Sequence, residues 1–366
     1  MRITRVEPML IALPYGHGAP KPRLSTGAVR EMMDAVYLRV DTDAGITGWG
    51  EAFGFAACPM ALEAAKSVVA PLATGRDADD IPALMGDLFH RTHGMSLNGP
   101  VRFALSGLDI ALWDIAGKAA GKPIHRLLGG GGTKARIPAY ASLMRMPDDT
   151  CVAKVSEDAA SRGYRHIKLH ERTVEAVVAA RGAVGPDIAL MLDTNCSWNA
   201  DRAIDMARRL RRYDLTWLEE PVSPADDFEA LGRIRREGGV PVAAGENLGT
   251  VNELRRIVAA GAVDYVQPDV TKIGGITELW KAVRFAAEQD AVLEPHSPLY
   301  GPGLIATQHV IAAMEHNAMC EFYYCDLGAS PMGDAIRARD GFMRVPDGPG
   351  LGVEVDEAAI ERYRVG

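Results

Sequence analysis

Cysteine is scarce in this chain and badly placed for covalent or metal chemistry. There are five, at positions 58, 151, 196, 320 and 325. The number is odd and no C-x-x-C pair occurs, which argues against a disulfide-stapled scaffold and a zinc–thiolate site and predicts a reduced, cytoplasmic setting. An excess of positive charge is also missing. Forty basic residues against 48 acidic ones leave a formal charge of −8, which disfavours nucleic acid or an anionic membrane as partner. The N-terminal MRITRVEPMLIALP holds an apolar run too short for a signal-peptide core, and it breaks at Pro14. No stretch approaches the roughly 20 apolar residues expected of a membrane span. A small anionic substrate stays open, because one local cation or lysine can dominate a site.

What is present is 366 residues, 48% hydrophobic and 24% charged, enough for a barrel and a smaller partner domain. Residues 1–14 predict an edge strand. The stretch 15–30, YGHGAPKPRLSTGAVR, predicts a mobile loop, and MMDAVYLRV and ITGWGEAF predict a hairpin about DTDAG. From about 59 to 121 the apolar period becomes helical, ending at Gly121 and Pro123. Strands followed by helices mark an α+β domain over residues 1–130, with the glycines 129–132 as linker. From about 136 strand and helix patterns alternate. IPAYASL, HIKLH, IALMLD, TWLEE, PVAAGE, YVQPD, AVLEPH and MCEFYY give eight strands of a (β/α)₈-type barrel over residues 131–325. A Gly/Pro-rich tail, 326–366, follows the last strand in place of an eighth helix and is expected to return to the first domain.

Three of these strands finish on an acid: Asp193, Glu219 and Glu246, spaced 26 and 27 residues apart. One strand, one helix and two short loops fill about that length. In a parallel barrel the strand ends converge on one face, and three converging carboxylates repel unless a divalent cation sits among them. Oxygen ligands of this kind suit Mg²⁺, or Mn²⁺. The beat continues with Lys168, 25 residues before Asp193, and with Asp269, His296 and Glu321, each 23 to 27 residues beyond the last. Residues two apart on a strand share a face, so Lys168 goes with His170 and Asp193 with Asn195. Asp269 beside His296 would fix its tautomer. His296 and His170 then stand on opposite sides of the acids, an arrangement that takes a proton from one face of a carbon and delivers one at the other. Glu321 reads either as a protonated acid donating to a developing oxyanion or as a salt-bridge partner. Glu220, Glu294 and Lys272 read as supporting residues, and spacing does not separate Glu219 from Glu220. In the loop, His17, Lys21 and Arg23 are candidates for binding a polyhydroxy or dicarboxylic substrate, whereas Phe53 and Phe55 favour a less polar end.

Taken together, HIKLH, MLDTN, WLEEP, AGEN, QPDVTKIGG and EPHSP resemble the enolase superfamily in its mandelate racemase-like subgroup, over essentially the whole chain. The resemblance implies a (β/α)₇β TIM-type barrel under an N-terminal α+β capping domain. It implies Mg²⁺ ligation by Asp193, Glu219 and Glu246, an Asp269–His296 general-base dyad, and Glu321 as a hydrogen-bond donor to the substrate carboxylate. The shared chemistry is removal of the proton α to a carboxylate through a metal-stabilised ene-diolate. One departure matters: the subgroup's second strand carries K-x-K, where this chain has Lys168-Leu-His170. The segment from His170 to Asp193 is also short. Dehydration of a sugar acid is the leading expectation, with His170 as acid. A racemase or epimerase of a 2-hydroxy or amino acid is the alternative, ahead of a cycloisomerase or a non-catalytic barrel. A metal-dependent hydrolase would want H-x-H on the first barrel strand, and AYASLM has none; a glycosidase has no use for the dyad. A homo-oligomer, dimer to octamer, is expected.

Overall fold

Gly48 and Gly50 set how the N-terminal part is built. A Cβ on Gly50 would lie 1.8 Å from the carbonyl oxygen of Gly107, so the bare backbone lets the helix Pro100–Ala120 press directly on the sheet. The computed structural model describes residues 1–24, 27–129, 134–289 and 291–365. In it the strands Ile3–Leu13, Met33–Thr42 and Thr47–Ala52 form an antiparallel sheet. The expected hairpin about DTDAG is there, pairing Val36 with Ala52 through Asp41 with Thr47. The first strand is not a free edge. Its Leu10 and Ile11 pair with Val365 and Arg364 of the last strand, because the tail comes back to this sheet.

The helices Ile81–Arg91 and Pro100–Ala120 cover the sheet, the first capped by Asp80 and the second ended by left-handed Gly121. The helical run Phe55–Ala73 is long and apolar enough to cross a membrane by length and composition, which corrects the expectation that no stretch comes close. Here Cys58, Ala61, Ala65, Val69 and Ala73 are buried in the same core as Leu38, Leu105 and Leu108.

Eight parallel strands and seven helices alternate from Arg136 to Tyr323. The strands are Arg136–Ser142, His166–Leu169, Ala189–Asp193, Leu215–Glu219, Val242–Ala244, Tyr265–Val266, Val292–Leu293 and Cys320–Tyr323. The ladder runs from the seventh strand back to the first, and the eighth joins the first in parallel. Two side chains bridge the seam between seventh and eighth: Ser297 N–H donates to Glu321 Oε2 at 2.9 Å, and Met319 N–H to Glu294 Oε2 at 2.8 Å. This is a (β/α)₇β TIM-type barrel: among the described residues no barrel helix follows the eighth strand, and the later helix Glu357–Tyr363 belongs to the returning tail and packs on the first cap strand. Inside it Tyr140, Met191, Trp217 and Ala243 make a filled layer. On its way back the tail lays Phe342–Arg344 antiparallel along the first barrel strand. The boundary expected at residues 130/131 lies outside the described residues.

Candidate active site

The barrel rhythm delivers its charged groups to one place. Asp193 and Glu219 are the last residues of adjacent strands and form a register pair. Glu246 stands two residues past the fifth strand, reached through Gly245 at φ +132°, where a Cβ would lie 2.9 Å from Gln267 N. One oxygen from each of the three carboxylates lies within 4.8 Å of the others. Glu220, at φ +42°, turns the other way and accepts the Gly245 N–H at 2.9 Å.

Each acid is braced. Glu219 takes Lys168 Nζ at 2.7 Å on one oxygen, and Trp217 Nε1 at 2.7 Å and Gln267 Nε2 at 3.1 Å on the other. Asp193 Oδ1 accepts from Asn195 N and Nδ2 at 2.8 and 3.0 Å. Asn195 does this from φ +46°, beyond the strand's end, so a turn and not strand alternation sets its direction. Asp193 Oδ2 is buried with no hydrogen-bond partner among the described residues. An orphaned carboxylate oxygen facing two more carboxylates is what a hard divalent cation relieves, so these residues fit Mg²⁺.

Histidines flank the acids on both sides. His296 Nδ1 lies 2.7 Å from Asp269 Oδ2, and its Nε2 lies 2.8 Å from Glu246 Oε2. Asp269 Oδ1 is fixed by Thr271 N–H and Oγ1–H at 2.7 and 2.6 Å. The imidazole therefore gives its Nδ1–H to Asp269 and turns Nε2 to the acids. Burial works against its charge, but Glu246, Glu321 and Asp269 push its pKa up to about 10. Across the site His170 Nδ1 contacts Leu143 O at 2.6 Å, and its Nε2 lies 3.1 Å from Asp193 Oδ2, outside hydrogen-bond geometry. Its pKa is raised too, Asp193 overcoming burial.

Of the two roles left open for Glu321, donor or salt-bridge partner, the second is the one its contacts match. Its Oε1 accepts from Ser142 Oγ at 2.6 Å and lies 2.9 Å from Lys168 Nζ; its Oε2 accepts from Ser297 N–H at 2.9 Å. Burial opposes ionisation, yet Lys168 and His296 hold the pKa at about 2. An ionised carboxylate has no proton to donate, so in this state Glu321 accepts from its neighbours and anchors Lys168. Lys168 is fully buried, and Glu219 and Glu321 keep it charged against the cost of burial.

A cavity of about 600 Å³ opens above these groups. His170, Asn195, Glu246 and His296 line it from the barrel, Arg23 and Arg30 from the 15–30 loop, and Phe53 and Phe55 from the cap. Of the three loop candidates only Arg23 faces it. Lys21 pairs with Glu31 at 3.3 Å, and His17 is buried, stacked on Tyr15. Sequence reasoning missed Arg30, Arg145, Arg172 and Tyr323, which also line the cavity. The available signal was their position: Arg145 and Arg172 stand just past strands one and two, where barrel loops carry site residues.

A closed barrel under an α+β cap, with carboxylates converging at the ends of its third, fourth and fifth strands, defines an enolase-type fold. The family models agree: residues 18–129 match the mandelate racemase/muconate lactonizing enzyme N-terminal domain, and residues 150–359 match the enolase C-terminal domain-like unit. The chain belongs to the mandelate racemase/muconate lactonizing enzyme family of the enolase superfamily, and it is an enzyme of that kind. It is 30% identical to an arabinonate dehydratase of Saccharolobus solfataricus, over 92% of each chain. It is 30% identical to a D-galactarolactone cycloisomerase of Agrobacterium fabrum, over 100% of this chain and 99% of that one. A racemase from Streptomyces coelicolor, solved with bound magnesium, superposes with a TM-score of 0.86 at 28% identity, covering 99% of this chain and 100% of that one.

Proposed function

We propose that this chain is a Mg²⁺-dependent dehydratase of a sugar acid, with Asp193, Glu219 and Glu246 holding the cation. The observation that carries this reading is the placement of two histidines against different members of the acid cluster, His296 Nε2 beside Glu246 and His170 Nε2 beside Asp193. A cation held there would offset the charge that develops on the substrate carboxylate as its α proton leaves.

Glu246 holds a proton on His296 only while its own charge is free; engaged on the cation it would release that proton. The neutral His296 Nε2 then takes the C2 proton while its Nδ1–H stays on Asp269, which stabilises the imidazolium so formed. The C–H electron pair moves into the C1–C2 bond, giving an ene-diolate. Lys168 contributes a fixed, buried positive charge beside it, which costs no reorganisation during the reaction. The electron pair then forms the C2–C3 double bond as the C3–O bond breaks. The departing hydroxide takes the proton of His170 Nε2 and leaves as water. The enol left behind becomes a 2-keto-3-deoxy acid when C3 gains a proton. The short contact of His170 Nδ1 with a backbone carbonyl fixes its outer nitrogen toward the site. Burial opposes the charge of His170 and Asp193 favours it, and the balance raises its pKa toward the acid form.

The test is a set of sugar acids in D₂O with Mg²⁺, followed by NMR and by a 2-keto acid assay. The wild type should release 2-keto-3-deoxy product. H296N should lose both product and C2 deuteration, by about 10²- to 10⁴-fold. H170N should lose product while C2 deuteration persists. Loss of both in H170N, with wild-type inversion at C2 and no keto product, would replace dehydration by racemisation.

A further inference from the structure

The cavity wall carries more positive charge than a one-carboxylate substrate accounts for. Arg23, Arg30, Arg145 and Arg172 all line it, and none of the four makes an ion pair with another described residue, although many of the chain's other arginines do. Two of them are costly to leave so. Arg30 is only 5% exposed. It is held by ring faces, with its guanidinium carbon 4.2 Å from the Phe55 centroid and 5.7 Å from that of Tyr323, and by a 3.4 Å contact to Tyr300 Oη. Asp34 stands beyond ion-pair reach, though its charge is felt. Arg145 spends its Nε on His170 O at 3.1 Å, and its Nη2 is buried with no hydrogen-bond partner among the described residues. Glu171, the acid near Arg145, is committed to the Met146 N–H at 2.8 Å. Arg145 also feels the like charge of Arg172, which adds to the cost of burial.

Buried guanidinium without a counter-charge is unfavourable. The carboxylate that is to lose its α proton does not supply that counter-charge, because its place is at the acid cluster beside Lys168. A neutral polyol end would leave Arg30 and Arg145 as they are. Guanidinium groups match planar carboxylates through paired N–H donors.

We infer that Arg30 and Arg145, with Arg23 and Arg172 at the rim, form a subsite for a second carboxylate, so that the substrate is a sugar diacid. The inference rests on the sugar-acid reading and narrows it. Arg145 is tied to the backbone of His170, so the second carboxylate lies on the His170 side of the cavity. The cap-loop arginines reach it from above, which makes loop closure depend on the diacid's far end.

The experiment compares kcat/KM for galactarate and glucarate with that for galactonate and gluconate, with Mg²⁺, and adds 6-phosphogluconate to separate a carboxylate from a phosphate subsite. The diacids should lead. In R145Q the diacid-to-monoacid ratio should fall by about 10- to 100-fold, the worth of one charge-assisted contact, and R145K should recover part of it. Calorimetric binding of galactarate and galactonate to the Mg²⁺-loaded protein gives the same comparison without turnover. A preference for the monoacids, a lead for 6-phosphogluconate, or an unchanged ratio in R145Q overturns the diacid subsite while leaving the dehydratase reading standing. Turnover of none of these acids, with diacid binding still weakened by R145Q, supports the subsite and counts against the dehydratase reading.

Discussion

Lys168 shows what a single residue does here for stability as well as chemistry. Its ammonium is fully buried, 2.7 Å from Glu219 and 2.9 Å from Glu321. Removing one partner of a buried ion pair leaves uncompensated charge and costs roughly 3–5 kcal/mol. K168M should therefore lose about that much in urea unfolding with a chelator present. K168M/E321Q should recover part of the loss, because one of the stranded charges is gone. Added Mg²⁺ should narrow the deficit by neutralising Glu219 in Lys168's place; an equal deficit with and without Mg²⁺ would count against the cation sitting beside Glu219. The sequence exposed the positions of these groups through the repeat length of a βα unit. It did not expose the ionisation of Glu321, which Lys168 and His296 enforce against burial and which Ser142 and Ser297, donors from two other parts of the barrel, support. Nor did it separate Glu219 from Glu220, since a positive φ at Glu220 breaks the alternation that would have decided the matter.

At the scale of elements, long periodic segments were readable and loop directions were not. The helices Ala200–Leu210, Phe228–Gly238 and Gly275–Glu288 fall where the apolar period puts them. Asp269 and His296, by contrast, lie three residues beyond their short strands and meet through an isolated bridge. The arginines of the cavity wall come from loops whose course no period encodes. The 15–30 loop carries one testable consequence. Arg23 is exposed and lines the cavity, so a ligand seated below it should shield the Arg23–Leu24 bond. The Lys21–Pro22 bond resists trypsin because proline follows, and Arg30 is buried, so the cut after Arg23 reports the loop cleanly. Saturating Mg²⁺ plus a sugar acid should slow that cut several-fold relative to Mg²⁺ alone. Equal rates would mean that the loop does not close over the bound acid.

At the scale of the whole molecule, cap and barrel are joined by buried polar contacts, and one of these sets a pH dependence. Glu51, on the third cap strand, is buried and accepts the Gly303 N–H at 2.9 Å, at the start of the barrel helix Pro302–Ala313. Arg102 Nε and Tyr37 Oη donate across the same junction to Gly249 O and Tyr300 O, at 2.6 and 3.0 Å. Burial pushes Glu51 up to about 8, although the backbone N–H of Gly303 pulls the other way. Asp109, buried on the cap helix beside Thr277, goes up to about 7 for the same reason. The folded protein thus holds these protons more tightly than the unfolded chain does. Below the ordinary carboxylate range both states are protonated and the stability is intact. As pH rises, the unfolded chain ionises first and is favoured, so stability falls until the folded acids also ionise near pH 7 to 8. The melting temperature should accordingly drop between about pH 5 and about pH 8, then stop responding to these groups. Glutamine has the shape of the protonated acid and cannot ionise. E51Q should match the wild type near pH 5, exceed it above pH 8 and show a shallower slope between. A wild-type advantage at high pH would mean instead that Glu51 is ionised in the fold and held by the helix's backbone N–H groups, with the junction drawing its strength from that charge.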